Sequence, residues 1–329
     1  MNRKYLKIKV AALFVSVLLE VQGNAQLKGD HLVGDFGLSA GTQAPPTIIA
    51  ALPLYGYDAS RLKNSDGDVI DRSPDIGAFL LGVGGSVVTN LKILKANYGA
   101  SILIAFISNR IEGNIIQSKS SLGFTDMYAQ PLQLGWHTNR ADYSAGYGIY
   151  IPVGKYEFGG TDNKGLGMWG HEFSGGATVY LDEKKTFNLS SILFYELHSE
   201  KKNTSVKVGD ILTAEGGVGK TFYKPIKGFP IPVIFNAGPI YYMQFKTSND
   251  KIPVNNTVFT GTKDHVYALG LEFNVLHPKI RTSLGFRWLG EFSARNRFEG
   301  NTFLMTVGYI IKSLEKKEEK NENGKQSTN

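Results

Sequence analysis

The residues best placed to do chemistry are Glu196 and His198, a carboxyl and an imidazole two positions apart. In an extended strand that spacing sets both on one face. An acid and a base so placed could serve a membrane-embedded hydrolase if a nucleophile such as Ser190 stood beside them. They also suit the polar lining of a closed sheet, the reading we prefer, with the hydrolase kept as its rival. Two glycine-rich runs mimic nucleotide sites. The run 214–221, Ala-Glu-Gly-Gly-Val-Gly-Lys-Thr, ends as a phosphate-binding loop does, but Phe222-Tyr223-Lys224-Pro225 follows and does not open the helix that would hold the phosphate. The run 165–170 has dinucleotide spacing yet precedes a strand instead of following one. The acidic stretch Asn64-Ser65-Asp66-Gly67-Asp68 has Leu62 and Ser73 where the first and twelfth calcium ligands would stand, so it reads as a Gly-centred turn. None of the six histidines pairs with a second His or a Cys at ligand spacing, and cysteine is absent. The sequence therefore predicts no thiol nucleophile, no metal site and no cofactor.

The elements that must position these residues are strands. In 186–198, Phe187, Leu189, Ser191, Leu193, Tyr195 and Leu197 share one face, against Thr186, Asn188, Ser190, Ile192, Phe194, Glu196 and His198 on the other. That is period two. The run 173–181 repeats it, and Asp182-Glu183-Lys184-Lys185 joins the two as a hairpin. The same pattern predicts strands over 47–55, 77–88, 98–107, 123–136, 142–153, 210–221, 231–245, 264–274, 279–292 and 301–311, twelve in all. With 38 glycines, 12% aromatic residues and no segment of helical periodicity, the chain reads as all-β.

Residues 1–25 have the form of a secretory signal: Arg3, Lys4, Lys7 and Lys9, an apolar run over 10–19, and Gly23-Asn24-Ala25 at the cleavage positions. The apolar run is too short to span a bilayer, which takes roughly 20 helical residues. Its removal lowers the formal charge from +7 to +4, leaving 32 basic and 28 acidic side chains. With no basic cluster on the strands, a nucleic-acid partner is not expected. The stretch 26–46 is polar and Gly-rich, either a periplasmic leader or a segment packed in a lumen. The tail 312–329, rich in Lys, Glu and Asn, reads as disordered and periplasmic.

Alternation alone suits a soluble sandwich as well as a barrel in lipid. Loop lengths separate them. The connections 57–76, 108–122, 154–171, 199–209, 246–263 and 293–300 form a longer, more polar set. They alternate with the shorter 89–97, 137–141, 182–185, 222–230 and 275–278. This is the asymmetry of an outer-membrane barrel with short periplasmic turns and long extracellular loops.

The chain also carries a recurring set of residues: Gly123-Phe124-Thr125-Asp126, Pro131-Leu132, Gly135-Trp136, Tyr150-Ile151-Pro152-Val153-Gly154-Lys155-Tyr156, Asn163-Lys164-Gly165 and Gly238-Pro239. Together they resemble the outer-membrane family named for the MetA pathway of phenol degradation, with Val153 where Thr is common. The resemblance implies a barrel that admits small hydrophobic or aromatic molecules. The expectation is thus an all-β, closed antiparallel transmembrane barrel of about twelve strands. It would act as a monomeric channel or uptake protein in the outer membrane, with lipid around it and a small hydrophobic solute as its partner. A structural or adhesive barrel with partner-binding loops is a further alternative. The lumen-facing candidates are Asp126, Ile192, Phe194, Glu196, His198, Glu215, Glu272, Arg281 and Arg287. Charges of both signs are expected to pair across the lumen, while Ile192 and Phe194 guide the ligand.

Overall fold

The computed structural model describes residues 29–71, 75–112, 117–254, 257–260 and 263–315. The predicted signal, 1–25, and most of the predicted tail lie outside them. Twelve long strands follow one another: β1 (Thr47–Lys63), β2 (Asp75–Ile93), β3 (Ala96–Glu112), β4 (Met127–His137), β5 (Ala141–Ile151), β6 (Gly170–Tyr180), β7 (Phe187–His198), β8 (Ile211–Ile226), β9 (Phe229–Lys246), β10 (His265–His277), β11 (Thr282–Arg295) and β12 (Phe298–Ser313). Each pairs antiparallel with its neighbours in sequence, and β12 returns to β1 through pairs such as Leu54 with Met305, which closes the sheet. Every strand has at least the roughly 9–11 residues needed to cross the hydrocarbon layer at a barrel's tilt. Among the described residues no helix is long and apolar enough to cross a membrane.

Burial is inverted relative to a soluble protein. On β7, Asn188, Ser190, Ile192, Phe194, Glu196 and His198 are buried, while Phe187, Leu189, Leu193, Tyr195 and Leu197 are exposed. On β10, Leu269 and Leu271 are each 60% exposed, whereas Glu272 between Leu271 and Phe273 is 3% exposed. A charged residue on the outer face would cost about 2–4 kcal/mol at the bilayer midplane for Arg or Lys, and less for an acid. An apolar band outside and carboxylates inside therefore make this a membrane barrel.

Several connections depart from expectation: 89–97 and 222–230 contract to the two-residue turns 94–95 and 227–228, and two others change in kind. Residues 296–297 form a two-residue turn on the long-loop side, although 293–300 was expected to be a longer loop. β11 continues to Arg295 because Ser293 takes a left-handed backbone, which lets Ala294 rather than Ser293 turn inward. At the other end, β10 and β11 are joined by a single 3-10 turn, Pro278–Ile280, capped by Arg281 in the left-handed conformation. Arg281 was expected in the lumen. It instead sits exposed on this short turn, its guanidinium 3.5 Å from the Ile311 carbonyl. Strand alternation does not extend into a turn, which is why counting from β11 misplaced it.

The lumen is filled by the chain's own N-terminal segment. Residues 29–46 have almost no regular structure, yet His31, Val33, Leu38, Ala40 and Gln43 are buried. The segment descends from the long-loop end, where Asp30 meets Glu196, to the short-turn end, where Gly41 donates to Thr178 Oγ1 at 3.2 Å. At Gly41 a Cβ would lie 2.1–2.4 Å from the backbone of Ala177, so only glycine lets the segment lie this close to β6.

Candidate functional site

An irregular segment inside a membrane barrel has backbone amides that no ladder satisfies, and each buried one must find an acceptor. The wall supplies carboxylates. Glu196 accepts from the amides of Asp30 (2.8 Å) and His31 (3.0 Å). Glu215 accepts from Gly34 (2.6 Å) and Phe36 (2.7 Å), and Glu272 from Leu38 (2.8 Å). His31 bridges Glu215 and one further acid, with Nδ1 2.8 Å from Glu172 and Nε2 3.1 Å from Glu215. Lower down, Ser190 donates to the Gly37 carbonyl at 2.6 Å and the Asn188 amide donates to Leu38 O. The bonds to the glutamates are charge-assisted, about twice as strong as neutral ones, and they satisfy acids that would otherwise be costly to bury.

Glu196, Glu215 and Glu272 thus face the lumen, and they hold the segment in place. The expected pairing of opposite charges across the lumen is not what forms. Arg287 lies 3.1 Å from Glu272, its register partner on the adjacent strand, and donates to the Asp35 carbonyl at 2.6 Å. Ile192 and Phe194 face inward but are covered: the Phe194 ring packs at a tilt against His31 (ring centroids 4.2 Å apart) and Phe36 (5.0 Å), and both residues pack with Ala40. They do not line open space, because the segment occupies the volume in front of them.

The open space lies on the other side of the segment. A cavity of about 360 Å³ separates residues 29–33 from β1–β4. Its wall includes Tyr55 and Tyr57 on β1, Leu80 on β2, Ala105 and Ile107 on β3, and Tyr128 on β4. Tyr57 and Tyr128 are held by their hydroxyls, as are the neighbouring Tyr150 and Tyr242. Tyr128 and Tyr150 donate to Glu172 at 2.9 and 3.0 Å, and their rings lie 4.7 Å apart. Tyr57 and Tyr242 donate to the two oxygens of Glu291 at 2.7 and 2.8 Å. Anchoring the polar end of each ring to a buried acid fixes its orientation.

The loop over 152–169 roofs the cavity with Gly160, Asn163 and Leu166. Asp126 pins this loop by accepting from the amides of Gly154 (2.9 Å) and Leu166 (2.6 Å), and burial pushes its carboxyl above the ordinary range. It lines the cavity, as a candidate from sequence, but as the fastening of a lid loop. Lys201, on the neighbouring loop, donates to the Leu166 carbonyl at 2.8 Å, and burial holds its amine down to about 8.

The glycine-rich runs hold no nucleotide geometry. Residues 214–221 lie within β8, paired with β7 and β9, and 165–169 belong to the roof loop. Asn64 Oδ1 accepts from the amides of Asp66 and Asp68 in a turn closed by Gly67 at φ +87°, as the turn reading predicted. Ser190 is six residues from Glu196 on one strand, about 20 Å at the rise of an extended chain. Its hydroxyl is engaged by the Gly37 carbonyl, so the geometry gives no support to the hydrolase.

Sequence reasoning missed Glu172, Glu291, His31 and the cavity tyrosines. One signal was present: 98–107 is apolar on both faces, with Leu103, Ala105 and Ile107 opposite Ile102, Ile104 and Phe106. A strand facing lipid on one side and carrying apolar residues on the other cannot border a water-filled lumen.

No curated protein matches the chain in sequence. Among solved structures, the COG4313 outer membrane channel from Pseudomonas putida F1 is 10% identical, with a TM-score of 0.69 over 85% of this chain and 100% of that one. The β domain of the Bordetella autotransporter BrkA is 10% identical, at 0.45 over 80% of this chain and 99% of that one. The CymD monoaromatic hydrocarbon channel is 8% identical, at 0.37 over 83% and 91%. Of these three, the first speaks to the fold, which it shares as an outer-membrane barrel. A family model described as "Putative MetA-pathway of phenol degradation" matches residues 59–307, and the chain belongs to that family.

Proposed function

We propose that the protein is a monomeric outer-membrane channel that takes up small hydrophobic or aromatic molecules, with the cavity between the N-terminal segment and β1–β4 as its binding chamber. The observation that carries this is the contrast inside one lumen: an acid-lined half filled by the segment, and a tyrosine- and aliphatic-lined half left open. A dry apolar cavity of about 150 Å³ is enough to bind benzene, so the space here has room for a substituted ring. Pockets that orient small ligands join an apolar wall to fixed polar groups, and here the apolar wall is joined by Asn163, the tyrosine hydroxyls and the buried Glu291–Arg297 pair. Membership in a family described by phenol degradation, and the likeness to a protein described as an outer membrane channel, support the same reading. Passage is favoured over catalysis because Ser190, the nucleophile considered for the acid–base pair, lies far along the strand with its hydroxyl engaged by the Gly37 carbonyl.

Purified protein in liposomes tests this. Permeability to a monoaromatic solute such as phenol or toluene should rise well above that of empty liposomes, with little change for a sugar of similar size. Equal rates for aromatic solute with and without protein would remove the channel reading.

A further inference from the structure

We propose that Asp30, Glu196 and His198 form a binding site for a divalent transition-metal ion, with zinc as its type, which clamps the N-terminal segment to the barrel wall. One ligating atom from each of the three residues lies within 4.8 Å of the other two. The second observation is independent of that proximity. His198 Nε2, Glu196 Oε2 and Asp30 Oδ2 are all buried and all lack a hydrogen-bond partner among the described residues. The His198 side chain is fully buried and that of Glu196 is 1% exposed. Native proteins leave few such atoms unsatisfied, and here three of them converge.

The chemistry of the donors favours a cation. His198 Nδ1 lies 3.2 Å from the Gly209 carbonyl, which can only accept, so Nδ1 carries a proton, and in the neutral ring the Nε2 lone pair points at the acids. This is the arrangement that metal-bound histidines use, the second ring nitrogen donating to a carbonyl or carboxylate that fixes the tautomer. Nε2 is 3.6 Å from Glu196 Oε1, too far for a hydrogen bond. That oxygen is already engaged by the amides of Asp30 and His31, which leaves Oε2 free to ligate. Asp30 makes no ion pair among the described residues, and the nearby Lys201 ammonium donates to the Leu166 carbonyl instead. Glycines keep the space open: a Cβ at Gly29 would fall 2.7 Å from both Glu196 oxygens, and one at Gly170 would fall 2.5 Å from Asp30 Oδ2.

One imidazole and two carboxylates form a mixed N/O set suited to zinc, with bonds of about 2.0–2.2 Å. Side-chain adjustments of about an ångström would bring the three atoms to those distances. Because Asp30 comes from the segment and the other two ligands from β7, the ion would tie the start of the segment to the wall at the long-loop end. His198 has no nearby second His or Cys in sequence, so ligand spacing along the chain could not disclose the site.

The test uses untagged full-length protein in detergent, stripped with a chelator, dialysed against micromolar zinc and assayed for bound metal by elemental analysis and calorimetry. One zinc per chain is expected. The His198→Gln variant should lose affinity by about a hundredfold or more, beyond the roughly 10–100-fold that removal of an outer-shell partner costs. Cobalt in place of zinc should give the intense visible bands of a low-coordinate site in the wild type and not in the variant. Heat-modifiable gel migration checks that each variant folds. Asp30→Asn, which alters the segment and leaves every barrel strand intact, carries the test should His198→Gln fail to fold. No saturable zinc binding, or equal binding by wild type and Asp30→Asn, would overturn the proposal.

Discussion

The lumen wall built by β6–β8 and β10 and the wall built by β1–β3 arise from the same alternating strands, yet they hold opposite contents. On the first, inward positions carry Glu172, Glu196, Glu215 and Glu272, and each acid accepts hydrogen bonds from the N-terminal segment. On the second, inward positions carry Tyr55, Leu80, Ala105 and Ile107, which have few hydrogen bonds to offer a backbone. A chain with unpaired amides therefore binds to the acidic wall and leaves the apolar wall facing open space. In this barrel the position of the plug and the position of the chamber follow together from which inward glutamates are free to accept the segment's amides, since Glu291 on the chamber side is engaged by Tyr57 and Tyr242.

The largest way to break this contrast is to remove the segment. Deletion of 29–43 should leave a barrel that still shows heat-modifiable migration, because the closed sheet does not depend on it. Its four wall glutamates would then face water, and ion conductance in planar bilayers should rise tenfold or more. Unchanged conductance would mean that the segment does not block the path.

Removing a single acid should loosen the segment without emptying the lumen. Glu215→Ala strips acceptors from Gly34, Phe36 and His31, at about 1–3 kcal/mol for each buried donor left without a partner. A cysteine placed at Leu38, fully buried in the native protein, should then react with a thiol reagent at least tenfold faster than in the wild-type background. Arg287→Ala should have a comparable but smaller effect, since Glu272 keeps the Leu38 amide and the Asn274 side chain as donors. Arg281→Ala, on the exposed short turn, should change neither conductance nor stability measurably. A rise in conductance from Arg281→Ala alone would restore it to the lumen and contradict the register of β11.

Much of the fold was legible because lipid imposes a period of two on every strand. The hairpin 173–198 shows it most clearly, with Leu189 and Leu193 outside and Ser190 and Glu196 inside. The short turns were legible wherever charge or proline interrupts the pattern, and failed where a left-handed residue such as Ser293 or Arg281 shifts the count. The candidate site was half legible. The inward glutamates on β7, β8 and β10 announced themselves as charges amid alternating strands. Their partners did not, because the groups they bind are backbone amides, which every residue carries. That also explains why Phe194 was misjudged: its face was right, but what packs against it is His31, more than 160 residues away in sequence. The chamber left one signal, the apolar residues on both faces of β3, but an apolar inner wall does not say whether open space or packed chain lies before it.

The central claim is that small apolar molecules pass through the chamber beside β1–β3, and filling that chamber tests it most directly. Leu80→Trp adds bulk from an inward position of β2, while Phe79→Trp places the same side chain on the lipid face one residue away. Uptake of a radiolabelled monoaromatic solute into liposomes should fall at least tenfold for Leu80→Trp and stay at the wild-type rate for Phe79→Trp, with both variants folded. Wild-type uptake by the Leu80→Trp variant would show that the solute takes another route.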